Sequence, residues 1–270
     1  MRAGFVLFMD FILRGYQYRS LIWTMALREI RSRYAGTAVG FTWFFINPLM
    51  TILVYWLVFS LGFKVKPVNG VSFIVMFLCG MIPYTTLNEA LVTSANCISS
   101  NPHLVKKTVF PTEMLPIVNL LSSFMSNAFM TGLLVVFMLC SGISFSLYNL
   151  QIFYYLFGLC VFCVGLGWLL AALSVFFRDL GQILAVILNL WFWATPIVWE
   201  IQMVPEQYRI FLKLNPLYYV VEGYKASFIF HKPFWLDWWG GIYFWGFALL
   251  MFVVGALVFR KLKPEFADVL

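Results

Sequence analysis

Between Arg33 and Lys64 the chain carries no charged residue. The run T-A-V-G-F-T-W-F-F-I-N-P-L-M-T-I-L-V-Y-W-L-V-F-S-L-G is longer than the about 20 residues that a helix needs to cross a hydrocarbon core of about 30 Å. Lipid offers no partner to a backbone N–H or C=O, so such a segment must close its own hydrogen bonds as a helix. Val39–Gly62 therefore reads as a first membrane span. Just before it, W-T-M-A-L-R-E-I-R-S-R-Y places Trp23, Leu27, Ile30 and Tyr34 on one helical face. Arg28 and Glu29 lie opposite, and Arg31 and Arg33 flank the stripe. This pattern predicts a basic amphipathic helix lying in the interface, with arginines reaching towards phosphates. The expected division is an interfacial segment, 1–38, and a membrane domain, 39–270.

The rest of the chain repeats the signal. It is 63% hydrophobic and only 11% charged, against about 25% charged in soluble domains. Further apolar runs predict spans at Val71–Cys97, Met114–Cys140, Leu150–Phe177, Ile183–Trp199 and Trp238–Phe259. Glu200–Asp237 is too polar for one span yet rich in aromatics. Pro205 and Pro216 suit helix first turns, which predicts two short helices dipping into the membrane or lying on it. The expected fold is all-α: a polytopic membrane protein with six transmembrane helices, an amphipathic interfacial helix at the N-terminal end, and short external re-entrant helices between spans five and six. No internal repeat of the kind built into secondary carriers is visible.

The net charge of +7 is spread over span ends, which speaks for topology and not for nucleic acid. With both termini inside, Arg2, Arg14, Arg19, Arg28, Arg31, Arg33, Lys106, Lys107, Arg178, Arg260, Lys261 and Lys263 face the cytoplasm. Lys64, Lys66, Arg209, Lys213, Lys225 and Lys232 face outward, and the two sets account for all 18 Lys and Arg. The excess inside predicts cytoplasmic termini. Asp10 and Arg14 interrupt the first apolar run, so residues 1–20 read as a cytoplasmic or interfacial lead-in and not as a cleaved signal.

Catalytic signatures are absent: there is no G-x-x-x-x-G-K-[ST], no H-E-x-x-H and no G-x-S-x-G. His103 and His231 fall in separate loops, and the cysteines, including Cys160-x-x-Cys163, sit in or beside apolar runs as small hydrophobes. No catalytic, metal-binding or cofactor-binding residue is expected in this chain, and energy must come from a partner or a gradient. The spans do carry polar stripes: Thr85, Asn88, Val92, Asn96 and Ser99 with Glu89 beside them; Phe44, Asn47, Thr51 and Tyr55; and Asn189, Phe192, Trp193 and Pro196. Such faces avoid lipid and turn to another helix or a wet cavity. Glu89 fits channel lining or a pair with an interfacial cation. Trp43, Phe44, Trp56, Trp191, Phe192 and Trp193 offer ring faces on which sugars could stack. The basic loop Asn101–Pro111 could dock a soluble partner.

Together, the ordered set L-R-E-I-R-S-R-Y…G-F-T-W…N-P-L, L-V-K-K-T-V-F-P-T-E-M-L-P, V-F-F-R-D-L, T-P-I-V-W, M-V-P-E-Q-Y, L-N-P-L and K-L-K-P-E-F-A-D-V-L resembles the ABC-2-type permeases that export O-antigen and teichoic-acid polysaccharides. The resemblance covers nearly everything from Leu27 onward. It implies a homodimeric permease in the bacterial inner membrane with two ABC ATPase subunits, ATP and Mg being bound by those partners. It implies a glycan linked to undecaprenyl diphosphate as cargo. Arg28, Arg31 and Arg33 would form the headgroup gate. Trp43, Phe44, Asn47, Thr51, Tyr55, Asn88, Phe192 and Trp193 would line the channel. Asn101, His103, Lys106, Lys107, Arg178 and Asp179 would couple to the ATPase. The competing readings are an ABC-2 permease for teichoic acid, capsule, a small lipid or a drug, a gradient-driven carrier resting on Glu89, and a membrane transferase, which the lack of paired carboxylates disfavours.

Overall fold

The computed structural model describes residues 17–64, 71–107 and 111–269. Most of the expected lead-in at 1–20, most of the Lys64–Gly70 turn and residues 108–110 of the basic loop lie outside the described residues. In chain order the helices are α1 (Arg19–Arg33), α2 (Trp43–Trp56), α3 (Phe73–Asn96), α4 (Pro102–Lys107), α5 (Leu115–Cys140), α6 (Ile152–Ser174), α7 (Leu180–Ala194), α8 (Glu206–Lys213), α9 (Pro216–Lys225), α10 (Trp238–Leu262) and α11 (Phe266–Val269). A π-helical turn, Leu57–Gly62, extends α2.

Among the described residues, five helices are long and apolar enough to cross a membrane: Gly40–Gly62, Phe73–Asn96, Thr112–Cys140, Leu147–Ser174 and Phe234–Val269. These match five of the six expected spans. The expected span Ile183–Trp199 differs. Its helix is α7, 15 residues long, or about 22 Å at 1.5 Å per residue, shorter than the about 30 Å core. Thr195 takes an extended conformation that stops it (φ −105°, ψ 136°), because Pro196 disfavours α-helix at the preceding residue.

The centre of the bundle is α3, packed against α5, α6, α7 and α9. Of its apolar 18-residue stretch 72% is buried within its own chain, whereas for the first span the share is 6%. That contrast separates a core helix from a peripheral one. α6 and α10 run together at close range because Gly165 and Gly255 face each other: a Cβ on Gly255 would overlap the Gly165 carbonyl, and one on Gly165 would overlap the backbone of Phe252. Small residues at a crossing bring membrane helices close enough for strong dispersion contact.

The short helices after α7 part company. α8 is largely exposed. α9 buries Leu217, Tyr219, Val220, Val221, Tyr224 and Lys225 inside the bundle, so it is a core element. Asn215 caps it, accepting from the Leu217 N–H at 3.0 Å, and Pro216 occupies the first turn.

Candidate functional site

Helix α1 presents a different face to the bundle from the expected one. Ile22, Ala26 and Ile30 are buried, and Ile22 and Ala26 pack on Met114 and Val118 at the start of α5. Trp23, of the expected stripe, is 52% exposed. Two apolar stripes overlap at Ile30, and only the one containing small Ala26 lets α1 approach α5. The outer face holds an open groove of about 440 Å³ lined by Thr24, Leu27, Arg28, Arg31, Ser32 and Ala35. Arg28 and Arg31 are exposed there.

Arg33 does not share that face. It turns inward, donating to the Ser122 hydroxyl at 2.9 Å, with Glu29 at 3.8 Å and Glu89 of α3 at 3.7 Å. The expected set of three headgroup arginines thus divides two to one. Of the two roles expected for Glu89, the structure shows a pair with a cation, Arg33. Tyr34 adjoins this group, with Asn47 facing its hydroxyl. Burial first, and the Glu89 charge second, hold its phenol above the ordinary value, leaving it a neutral donor.

The expected channel residues do not form one wall within this chain. Phe44 sits in a ring cluster with Phe41, Phe45 and Phe129. Tyr55 stacks on Phe77 at 4.6 Å between centroids, continuing through Phe73 and Phe59 to fasten α2 on α3. Phe192 is buried, edge-on to Tyr84 at 5.0 Å and to Tyr55 at 6.0 Å. Its neighbour Trp193, edge-on to it at 5.2 Å, is 53% exposed, so one end of this expected stripe is packed and the other is bare. Trp43, Thr51 and Asn88 are partly buried and Asn47 is exposed. The Thr51 hydroxyl donates to the Asn47 carbonyl. On α3 and the turn after it, Thr85, Asn88, Val92, Asn96 and Ser99 form the stripe that the bundle leaves least covered. α2 and α7, both resting on α3 and joined at Tyr55–Phe192, expose the apolar edges Leu49, Leu53, Leu57 and Val186, Leu190, Trp193.

Sequence reasoning missed a buried polar core. The Asn127 amide donates to the Thr86 hydroxyl at 2.7 Å and reaches the Tyr224 hydroxyl at 3.5 Å, linking α5, α3 and α9. Lys225, counted above among the outward-facing cations, is only 4% exposed. Its ammonium donates to the Pro196 carbonyl at 2.8 Å and to Glu222 at 2.9 Å. The i, i+3 spacing of Glu222 and Lys225 in an apolar helix was the available signal. Asn215 of L-N-P-L donates to Thr195 of T-P-I-V-W at 2.8 Å and accepts from Trp191 at 2.7 Å. Motifs that the chain keeps apart are hydrogen-bonded partners.

A second junction closes the end of the bundle where α3 gives way to α4. His103 and Lys106 on α4, and Arg178 and Asp179 between α6 and α7, are exposed, and the Ser174 hydroxyl near the end of α6 donates to the Ala95 carbonyl near the end of α3. Asn101 is partly buried, its amide donating to the Cys97 carbonyl at 2.9 Å, so it starts α4 and is less accessible than the rest. Lys107 ends α4. Among the described residues no group of His, Cys, Asp or Glu is placed to hold a metal ion.

The sequence that builds this arrangement is similar to those of known proteins. The family model of ABC-2 type transporters matches residues 20–229. The chain is 30% identical over 220 residues to the O-antigen export system permease protein RfbA of Myxococcus xanthus, covering 80% of this chain and 83% of that one. It is 27% identical over 257 residues to the protein of the same name from Klebsiella pneumoniae, covering 95% and 96%. The polysialic acid transport protein KpsM of Escherichia coli is 27% identical over 200 residues, covering 73% and 76%. The match spans α1, the packed α3–α7 bundle and α9, and on it the chain belongs to the ABC-2 type transporter family.

Proposed function

We propose that this chain is the transmembrane permease of an ATP-driven exporter that moves a lipid-linked polysaccharide of the O-antigen type out through the bacterial inner membrane. The observation that carries the reading is likeness over almost the whole length to permeases named for O-antigen export. The geometry supports it in three places. α2 and α7 are bare on their outer edges, which suits a second copy meeting them and a path opening between the copies. The α1 groove offers two exposed guanidinium groups, Arg28 and Arg31, beside Leu27; guanidinium suits a diphosphate and the apolar floor suits a lipid stem. The exposed α4 surface and Arg178–Asp179 suit a soluble subunit that binds and hydrolyses ATP, since this chain has no P-loop. In this reading the permease is a homodimer with two such subunits, both termini are cytoplasmic, α7 and α9 together complete the sixth crossing, and the cargo carries undecaprenyl diphosphate.

Capsule, teichoic acid or a small lipid would be handled by the same parts, so the cargo class is what the experiment must read. In a strain lacking the gene, surface polysaccharide is expected to vanish while the lipid-linked glycan accumulates inside. Purified permease is expected to retain a nucleotide-binding subunit in equimolar amount. Normal surface glycan in the deletion strain would overturn the cargo assignment, and absence of a nucleotide-binding subunit from the purified complex would overturn the ATP-driven mechanism.

A further inference from the structure

The C-terminal segment folds back to the end of the bundle where α4 emerges. α11 packs directly on α4. Phe266 is fully buried, its ring 5.4 Å from Phe259 of α10 and 6.3 Å from Phe176 at the end of α6. Three residues earlier, the Lys263 ammonium pairs with the Glu113 carboxylate at 2.5 Å. Glu113 lies in the short turn Thr112–Met114 between α4 and α5, and its carbonyl accepts from the Trp168 indole N–H of α6 at 2.9 Å. One residue thus ties the α4–α5 connection to α10 through its side chain and to α6 through its backbone. Because Gly165 and Gly255 hold α6 against α10, that pair can answer a push on α4 as one body.

We propose that the segment Lys263–Val269 is a brace that sets the position of α4 on the ATPase subunit, with Phe266 and Lys263 as positioning residues and Glu113 as the tie. The proposal rests on the reading of α4 as the ATPase-coupling segment and adds to it a part that the loop sequence does not contain. The brace passes the stroke of the ATPase from α4 to the α6–α10 pair. Without it the ATPase still docks on the exposed face of α4 and still hydrolyses ATP, but the motion dissipates in the connection.

The test uses the full permease–ATPase complex in proteoliposomes or cells, reading complex yield, ATP turnover and glycan exported. Lys263→Glu and Glu113→Lys are each expected to keep the complex and its ATP turnover while lowering glycan exported per ATP by about tenfold. The double reversal, which restores the pair with opposite polarity, is expected to recover most of that loss. Phe266→Ala should behave as the single reversals do; should it fail to assemble, the charge pair decides alone. Normal export per ATP in both single reversals, or no recovery in an assembled double reversal, would overturn the brace. Lys106→Glu, on the exposed face of α4, tests the underlying reading separately: it is expected to weaken ATPase capture, and full capture with normal export would refute α4 as the docking segment whatever the reversals do.

Discussion

Asn215 donates its side-chain amide to the hydroxyl of Thr195 at 2.8 Å, joining the first turn of α9 to the residue at which α7 stops. The same side chain accepts from the Trp191 indole and from the Leu217 N–H. It closes the end of one helix and opens another, in a region that lipid would leave without partners. Lys225 completes the junction by donating to the carbonyl of Pro196, an acceptor at the point where the helix breaks.

Asn215→Ala removes all three interactions at once. Each buried partner left unsatisfied costs about 1–3 kcal/mol, so a lowered unfolding temperature in detergent micelles is expected. Asn215→Asp keeps the acceptor for Trp191 and the cap but loses donation to Thr195, and should fall between the two. Equal stability of the alanine variant and the parent would show that water replaces these bonds.

The three arginines of α1 should separate by phenotype. Arg28→Ala with Arg31→Ala is expected to leave the amount of folded permease unchanged and to lower glycan export, because both side chains are exposed beside the groove. Arg33→Ala is expected to lower the amount of folded protein by stranding Glu89. The cost lies nearer the about 1 kcal/mol of an exposed pair than the about 3–5 of a buried one, since the Glu89 side chain is 36% exposed. Adding Glu89→Gln should recover part of it. Export and membrane abundance measured side by side decide the matter.

Gly255→Ala should disrupt the α6–α10 contact, where no side-chain movement can relieve an overlap with the Gly165 carbonyl. Little folded protein is expected in membranes. Gly246→Ala, on the same helix with open space around it, should be indistinguishable from the parent. Near-normal yield of Gly255→Ala would mean that the two helices can separate without loss.

Phe192 and Trp193 offer a test of packing against surface. Phe192→Ala opens a hole between α7, α3 and Tyr55 and should destabilise the monomer. The loss should stay below the about 3–5 kcal/mol of a soluble core, because lipid already shields the unfolded helices from water. Trp193→Ala should leave monomer stability alone and weaken self-association or export. Unfolding and sedimentation in detergent separate the two effects.

Much of this is legible in the sequence. The charge-free run before Lys64, the proline that starts α9 and the long apolar segments each follow from local rules of length, period and turn chemistry. The face that α1 buries did not: Trp23–Leu27–Ile30 and Ile22–Ala26–Ile30 are both acceptable stripes, and the choice depends on what α5 presents. Lys225 reads in the sequence as an outward-facing cation on a short helix because its neighbours in the chain are polar and aromatic. Its pairing with Glu222 follows from i, i+3 spacing, but its second partner, the Pro196 carbonyl, is visible only once α9 is seated in the bundle.

The same division holds for the candidate site. Composition and periodicity by themselves determined that this is an all-helical membrane chain with a basic helix leading into an uncharged span, because burial of backbone polar groups in lipid permits nothing else at that length. Tertiary structure decided which arginines stay free, which aromatics pack and which remain bare, and that Glu113 meets Lys263 across 150 residues. Those outcomes depend on side chains brought together from distant segments, and periodicity along one helix carries no information about what lies opposite it.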